Sequence, residues 1–121
     1  PDSVRAAIAV LAELPAPRVL VLGDMGEVGD QGPAFHAEVL AYAQTRGIDH
    51  VLCTGEQFAQ VAQAPARHFN DFAALTGDVR SLARAAGSVL VKGSRFMRME
   101  RVVAALQADA TLSAGGGSHA A

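Results

Sequence analysis

The sequence predicts an α/β domain built on an open, mostly parallel sheet with helices on both faces. Short apolar runs of strand length, RVLVL, HVLCT and VLV (89–91), alternate with longer stretches of helical periodicity. Gly23 and Gly55 close the first two runs, and Lys92-Gly93 breaks the third. Since β-α-β crossovers are right-handed, the loops that follow parallel strands are expected to gather at one edge of the sheet.

Caps, periodicity and breakers place each element in order. Asp2 and Ser3 can cap a first helix, which Pro15 ends, and Pro33 suits the first turn of a second helix. Asn70 or Asp71 can cap a fourth helix, with a possible interruption near Gly77. The predicted helices are 4–14, 33–46, 56–64 and 71–86, and the predicted strands are 18–22, 50–54, 67–69 and 89–91.

The final predicted helix begins after Ser94, a good N-cap. Phe96, Met99, Val102 and Leu106 recur on one apolar stripe of this helix. From about Ala108 the chain is rich in Gly, Ala and Ser and loses its periodicity. We therefore expect a folded domain over residues 1–107 and a flexible tail over 108–121.

Composition limits the possible functions. Half of the 121 residues are apolar, so one sizeable core can form, and the net charge of −2 gives no electrostatic case for nucleic acid or an anionic membrane. No apolar run reaches the ~20 residues of a membrane span, and no signal peptide is evident. Cys53 is the single cysteine and lies in a predicted strand, where a buried structural role is expected. These features predict a cytoplasmic domain.

An acidic, glycine-rich loop over residues 23–32 follows the first strand. Asp24 and Glu27 are placed to hold a cation, an amine or a ribose, although Glu27 could equally be a solvated acid that caps the next helix. His36 lies one turn into that helix and can bond either carboxylate and shape the loop. The loop does not satisfy GxGxxG, the chain holds no GKT or GKS, and no histidine has metal-ligand spacing. The residues therefore predict neither a nucleotide-binding loop nor a metal site.

A basic turn, defined as Lys92–Arg95, gives the strongest candidate site. It follows a buried strand and precedes a predicted helix N-terminus, where free N–H groups and the helix dipole favour an anion. Gly93 would let a ligand approach the backbone, and Ser94 adds a hydroxyl. The residues predict a site for a small anion or carboxylate. An ordinary exposed basic turn remains the alternative.

Several strings resemble the C-terminal domain of the Mur ligases. They are a Pro-Asp-Ser start before an Ala-rich helix, VLVLGDMGEVG, GIDHVLCTGEQ and VLVKGSRFMRMERVV. Together they cover about residues 1–107, and GDMGE with KGSR is the combination typical of the family members that add D-Ala-D-Ala. The resemblance implies a Rossmann-like fold that closes over two further domains. It also implies a longer ATP-dependent enzyme, in which an N-terminal domain binds the UDP-muramyl-tripeptide and a central P-loop domain binds ATP and Mg²⁺.

The resemblance also implies a role for each candidate residue. Asp24, Glu27, Lys92, Ser94 and Arg95 would lie near D-Ala-D-Ala, His36 would shape the loop, and Asp2 would approach the nucleotide at the domain hinge. ATP would phosphorylate the tripeptide carboxylate, and the dipeptide amine would attack the acyl phosphate. No catalytic residue or metal ligand is expected in this domain alone, which would be inactive by itself. A stand-alone carboxylate- or phosphate-binding module, or a related Mur or folylpolyglutamate ligase, remains the alternative.

Overall fold

A computed structural model describes residues 2–26 and 31–117, with side chains for 3–26 and 31–111. Five α-helices and four strands alternate along these ranges, as the periodicity predicts. The helices are α1 Asp2–Leu11, α2 Gly32–Thr45, α3 Glu56–Val61, α4 Phe72–Ala83 and α5 Glu100–Gly117, and the strands are β1 Arg18–Gly23, β2 His50–Thr54, β3 Arg67–Phe69 and β4 Ser88–Lys92.

The four strands form one parallel sheet in the order β3-β2-β1-β4. β1 lies at its centre, with Gly23 opposite Thr54 of β2 and Leu22 opposite Lys92 of β4. This register confirms the predicted fold class. It also brings the ends of β1, β2 and β4 to one edge of the sheet.

Helices cover both faces of the sheet, because β1 is apolar on both sides. Leu20 and Leu22 belong to a core shared with α1, α2 and α3. Val19 and Val21 face a second core, shared with α4 and α5. Such continuous apolar strands are expected in a parallel sheet that is covered on both faces.

Several helix boundaries differ from the sequence prediction. α1 spans Asp2–Leu11 rather than 4–14, and α3 ends at Val61 rather than at residue 64. α4 runs through Gly77 without a break and ends at Ala83. The predicted helix after Ser94 is wrong: Arg95–Met97 is a short 3₁₀ helix, and α5 begins only at Glu100. α5 then continues to Gly117, through the segment for which the sequence predicted no regular structure. Asp109 of this segment forms two hydrogen bonds with Arg80 of α4, at 2.7 and 2.8 Å.

Candidate functional site

The predicted site residues on β1 and β4 meet at the carboxyl edge of the sheet. Asp24 follows β1, and the basic turn follows the neighbouring strand β4. The backbone N–H of Ser94 donates to the backbone carbonyl of Asp24 at 2.9 Å. The acidic loop and the basic turn are therefore joined directly, as expected for loops that follow adjacent parallel strands.

Asp24 is buried, with 5% of its surface exposed, and both carboxylate oxygens are engaged. Oδ2 accepts from the N–H of Gln57 at 3.0 Å, and Oδ1 accepts from the N–H of Phe58 at 3.1 Å. These amides belong to the first turn of α3, whose free N–H groups and dipole favour a carboxylate. In this geometry Asp24 ties the loop after β1 to α3, so its carboxylate oxygens are already occupied.

Gly55 makes room for this carboxylate. Its φ of +112° lies in a region that side chains rarely adopt, and a Cβ there would lie 2.3 Å from Cγ of Asp24. In the sequence, Gly55 marks only the end of a predicted strand. The pairing of a glycine after β2 with an acid after β1 is visible only once the register of the two strands is known.

His36 is fully buried and holds both ends of the acidic loop. Its Nε2 accepts from the N–H of Met25 at 2.9 Å, and its Nδ1 lies 2.6 Å from the carbonyl of Gly32. These partners require a proton on Nδ1 and a free lone pair on Nε2, which is the neutral ring. Nε2 is 4.0 Å from Oδ1 of Asp24, too far for a hydrogen bond, so the histidine bonds the loop backbone instead of the predicted carboxylate.

Two other predicted residues lie where their side chains are not described. Glu27 lies outside the described residues. Asp2 is the first residue of α1, and its side chain is not among those that the structure describes.

The basic turn does not stand at the N-terminus of an α-helix. α5 begins only at Glu100, after the 3₁₀ helix Arg95–Met97. The prediction that an α-helix dipole favours an anion at Ser94 is therefore wrong. Lys92 is half-buried and Arg95 is exposed. The Ser94 hydroxyl oxygen is buried and has no hydrogen-bond partner within the described part of the chain. The turn therefore offers two cations and one unsatisfied buried hydroxyl.

Gly93 is required by packing. A Cβ on Gly93 would lie 2.6 Å from Cγ of Met99, and one on Gly23 would lie 2.7 Å from its Sδ. Met99 is 4% exposed and fills the space above both glycines. The side chain of Met99 therefore fills the space on the side of Gly93 where a Cβ would stand, while Gly93 itself is exposed.

A cavity of about 300 Å³ opens on the same edge of the sheet, and the sequence analysis did not find it. His68, beside this cavity, has Nε2 2.9 Å from the carbonyl of Gly55. The crossover rule predicts the Asn70 turn at this edge, but neither His68 nor Asn70 carried a motif that pointed to a cavity. The cavity is lined by Thr54, Gly55, Glu56, Ala59, His68, Asn70 and Met97.

Cys53 is a buried free cysteine beside this site. Burial, and to a smaller extent the charge of Asp24, raise the pKa of its thiol to about 12. Within the described ranges, no group of three or more His, Cys, Asp or Glu side chains is arranged to hold a metal. None of the helices among the described residues is long and apolar enough to cross a membrane.

Comparison with known proteins gives consistent matches. The family profile described as "Mur ligase, glutamate ligase domain" matches residues 1–95. The chain is 43% identical over 113 residues to the UDP-N-acetylmuramoyl-tripeptide–D-alanyl-D-alanine ligase of Escherichia coli (strain K12), covering 90% of this chain and 25% of that enzyme. It is 35% identical to the ligase of the same name from Haemophilus influenzae, covering 88% of this chain and 25% of that protein.

Two solved structures of Mur ligases contain a domain with the same fold as this chain. MurF from Acinetobacter baumannii superposes with a TM-score of 0.74 at 29% identity, covering 87% of this chain and 25% of that one. MurF ligase from Thermotoga maritima, in complex with ADP, gives a TM-score of 0.79 over 93% of this chain and 27% of that one. At 22% identity the second likeness shows the fold alone. The chain spans about a quarter of the length of these relatives, and it belongs to the Mur ligase family as a glutamate ligase domain.

Proposed function

We propose that this chain is the C-terminal, substrate-closing domain of an ATP-dependent ligase. That enzyme adds D-Ala-D-Ala to UDP-N-acetylmuramoyl-tripeptide in cytoplasmic peptidoglycan precursor synthesis. The observation that carries the proposal is the 43% identity, over 90% of this chain, to a ligase of that name. Since the match covers 25% of that enzyme, we assign UDP-muramyl-tripeptide binding to a separate N-terminal domain and ATP binding to a central domain.

The basic turn has the chemistry that the dipeptide carboxylate requires. D-Ala-D-Ala is a zwitterion, and removing its carboxylate from water is costly unless cations and hydrogen-bond donors replace the solvent. Lys92 and Arg95 supply the positive charge, and the buried Ser94 hydroxyl supplies a donor with no other partner among the described residues. We assign the carboxylate end of the dipeptide to these three residues.

The acidic loop has a different role in this proposal. Asp24 uses both carboxylate oxygens on α3, so we assign it to holding the loops in place beside the dipeptide. Glu27 is the acid assigned to the dipeptide amine, and His36 fixes the ends of its loop through Met25 and Gly32. Asp2, at the start of α1, is assigned to the nucleotide side of the domain hinge.

The residues of this chain do not fit ATP or Mg²⁺ as resident groups. No P-loop sequence is present, and the described residues hold no cluster of metal-ligating side chains. We therefore place both in the central domain, where ATP converts the tripeptide carboxylate to an acyl phosphate and releases ADP. The dipeptide amine then attacks that carbonyl, forming the amide and releasing phosphate. The present domain binds and orients the dipeptide for this attack.

Substitution of the two cations tests this assignment in the full-length enzyme. Lys92→Ala and Arg95→Ala should raise the KM for D-Ala-D-Ala at least about ten-fold, because each removes a charged partner of the carboxylate. The KM for ATP should change less than about two-fold. Arg84→Ala is the matched control, since Arg84 is exposed and follows α4 at the other edge of the sheet. Equal increases in both KM values would contradict the assignment.

Substrate choice separates the competing functions. The proposed ligase uses D-Ala-D-Ala and rejects single amino acids and glutamate, whereas a related Mur or folylpolyglutamate ligase would use one of them. A stand-alone carboxylate-binding module would show no ATP consumption that depends on the dipeptide. An assay of ADP release with each acceptor distinguishes all three.

A further inference from the structure

We propose that Arg101 is a positioning residue for the basic turn, and this inference rests on the proposed function of that turn. Arg101 belongs to the first turn of α5. It acts through the backbone of residues 97 and 98, and through them it sets the orientation of Ser94 and Arg95 toward the dipeptide carboxylate.

The guanidinium of Arg101 joins three parts of the domain. Its Nε donates to the carbonyl of Arg98 at 2.9 Å, and its Nη2 donates to the carbonyl of Met97 at 2.9 Å. Its Cζ lies 3.7 Å from the ring centroid of Phe72, at the start of α4. A single side chain therefore fastens the segment after the basic turn both to α5 and to the face of an aromatic ring.

That segment needs external support, because it is short and contains an unfavourable backbone conformation. The 3₁₀ helix Arg95–Met97 is followed by Arg98 in the left-handed region, with φ 52° and ψ 47°. Non-glycine residues persist in this conformation where the surroundings enforce it. The two carbonyls that Arg101 binds lie at this point, so its guanidinium stabilises the conformation that turns the chain into α5.

The basic turn is consequently anchored at both ends. Before the 3₁₀ helix, the N–H of Ser94 donates to the carbonyl of Asp24 at 2.9 Å. Within the helix, the N–H of Met97 donates to the carbonyl of Ser94 at 3.1 Å. Arg101 provides the second anchor, and the Ser94 hydroxyl and the Arg95 side chain lie between the two.

The arrangement requires arginine and cannot be reproduced by lysine. A guanidinium presents donors in a planar fork and stacks on an aromatic face, whereas an ammonium is a point charge on a flexible stem. Arg101→Lys therefore keeps the charge and loses the simultaneous contact with two carbonyls and a ring. This makes it a selective change for testing position separately from charge.

The test compares Arg101→Lys with Arg80→Lys in the full-length ligase. Arg80 also uses a guanidinium fork to hold α5 to α4, through Asp109, but it does not contact the basic turn. Arg101→Lys should raise the KM for D-Ala-D-Ala about three- to ten-fold and leave the KM for ATP within about two-fold. Arg80→Lys should leave both KM values unchanged. Phe72→Leu, which removes the stacking surface, should raise the dipeptide KM about two-fold.

Arg95→Ala is measured alongside, so that the two proposals fail separately. If Arg95→Ala raises the dipeptide KM and Arg101→Lys behaves like Arg80→Lys, the positioning role of Arg101 is overturned and the proposed function stands. If Arg95→Ala leaves the dipeptide KM unchanged, the proposed function of the basic turn is overturned.

Discussion

Replacing Asp24 by asparagine keeps the size of the side chain and removes its charge. In the native chain the two carboxylate oxygens accept from the N–H groups of Gln57 and Phe58. Asparagine keeps one acceptor and turns an NH₂ group toward the other N–H, so one buried amide loses its partner. A hydrogen bond to a charged group contributes about 1.5–3 kcal/mol, and the attraction to the helix N-terminus adds about 0.3–1 kcal/mol. We expect Asp24→Asn to lower the free energy of unfolding by about 2–3 kcal/mol.

Urea denaturation of the 121-residue chain, followed by far-UV circular dichroism, measures this change. With an m-value of about 1–2 kcal/mol per molar urea, the midpoint should fall by about 1–3 M. Asp71→Asn is the matched control, because Asp71 caps α4 through one hydrogen bond to Ala73, is exposed, and asparagine caps helices equally well. A midpoint for Asp24→Asn that equals that of Asp71→Asn would refute the bridging role of this carboxylate.

Three further predictions concern the residues around this site. Gly55→Ala should destabilise the fold by about 1–3 kcal/mol, because it combines a positive φ with a clash against Asp24, and thermal denaturation measures the loss. Cys53 should resist thiol reagents at pH 8 while the chain is folded. Because folding raises the pKa of this thiol from 9.0 to about 12, its contribution to the free energy of unfolding should be lost as the pH rises through that range. Cys53→Ala should remove this contribution to the pH dependence of stability. The hydrogen bond from Arg80 lowers the pKa of Asp109 below 3.8, so the stabilisation of the fold by this pair is present above pH 3.8 and is lost on acidification. Arg80→Gln should raise the pKa of Asp109 in a carboxyl NMR titration. An unchanged pKa would contradict the packing of α5 on α4.

Sequence patterns were sufficient for the sheet. Strand-length apolar runs and the glycines near their ends placed β1, β2 and β4 within about one residue of their observed positions, and the short strand predicted after Pro65 matches β3. The right-handed crossover rule placed the acidic loop and the basic turn at one edge, and the hydrogen bond from Ser94 to Asp24 agrees with that placement. These features depend on local periodicity and on a general rule of chain topology. Both can be applied to a sequence before any tertiary contact is known.

The helix after β4 shows where local patterns fail. Ser94 is a good N-cap, and Phe96 and Met99 have helical spacing, yet α5 begins at Glu100 and Phe96 is 70% exposed. Met99 instead packs over Gly23 and Gly93, which fixes the chain direction before the helix can start. That packing involves two strands, so a one-dimensional pattern could not reveal it.

The candidate site residues were chosen by residue type, and their contacts could not be predicted in the same way. The contacts of Asp24, and those of Arg101, depend on partners that the fold brings together. Asp24 is 33 and 34 residues from the amides that it accepts from, and His36 bonds the backbone of Met25 rather than a carboxylate. Arg101 carried no motif, because its contribution comes from two carbonyls and a ring that the fold brings together.

The measurement that tests the central claim most directly compares D-Ala-D-Ala with its C-terminal carboxamide in the full-length ligase, using the native enzyme and Arg95→Gln. The account predicts that the native enzyme strongly prefers the carboxylate form. Arg95→Gln should lose a large part of this preference, because one of the two charges assigned to the carboxylate is gone. If Arg95→Gln raises the KM for both forms by the same factor, the basic turn does not recognise the carboxylate, and the account is contradicted.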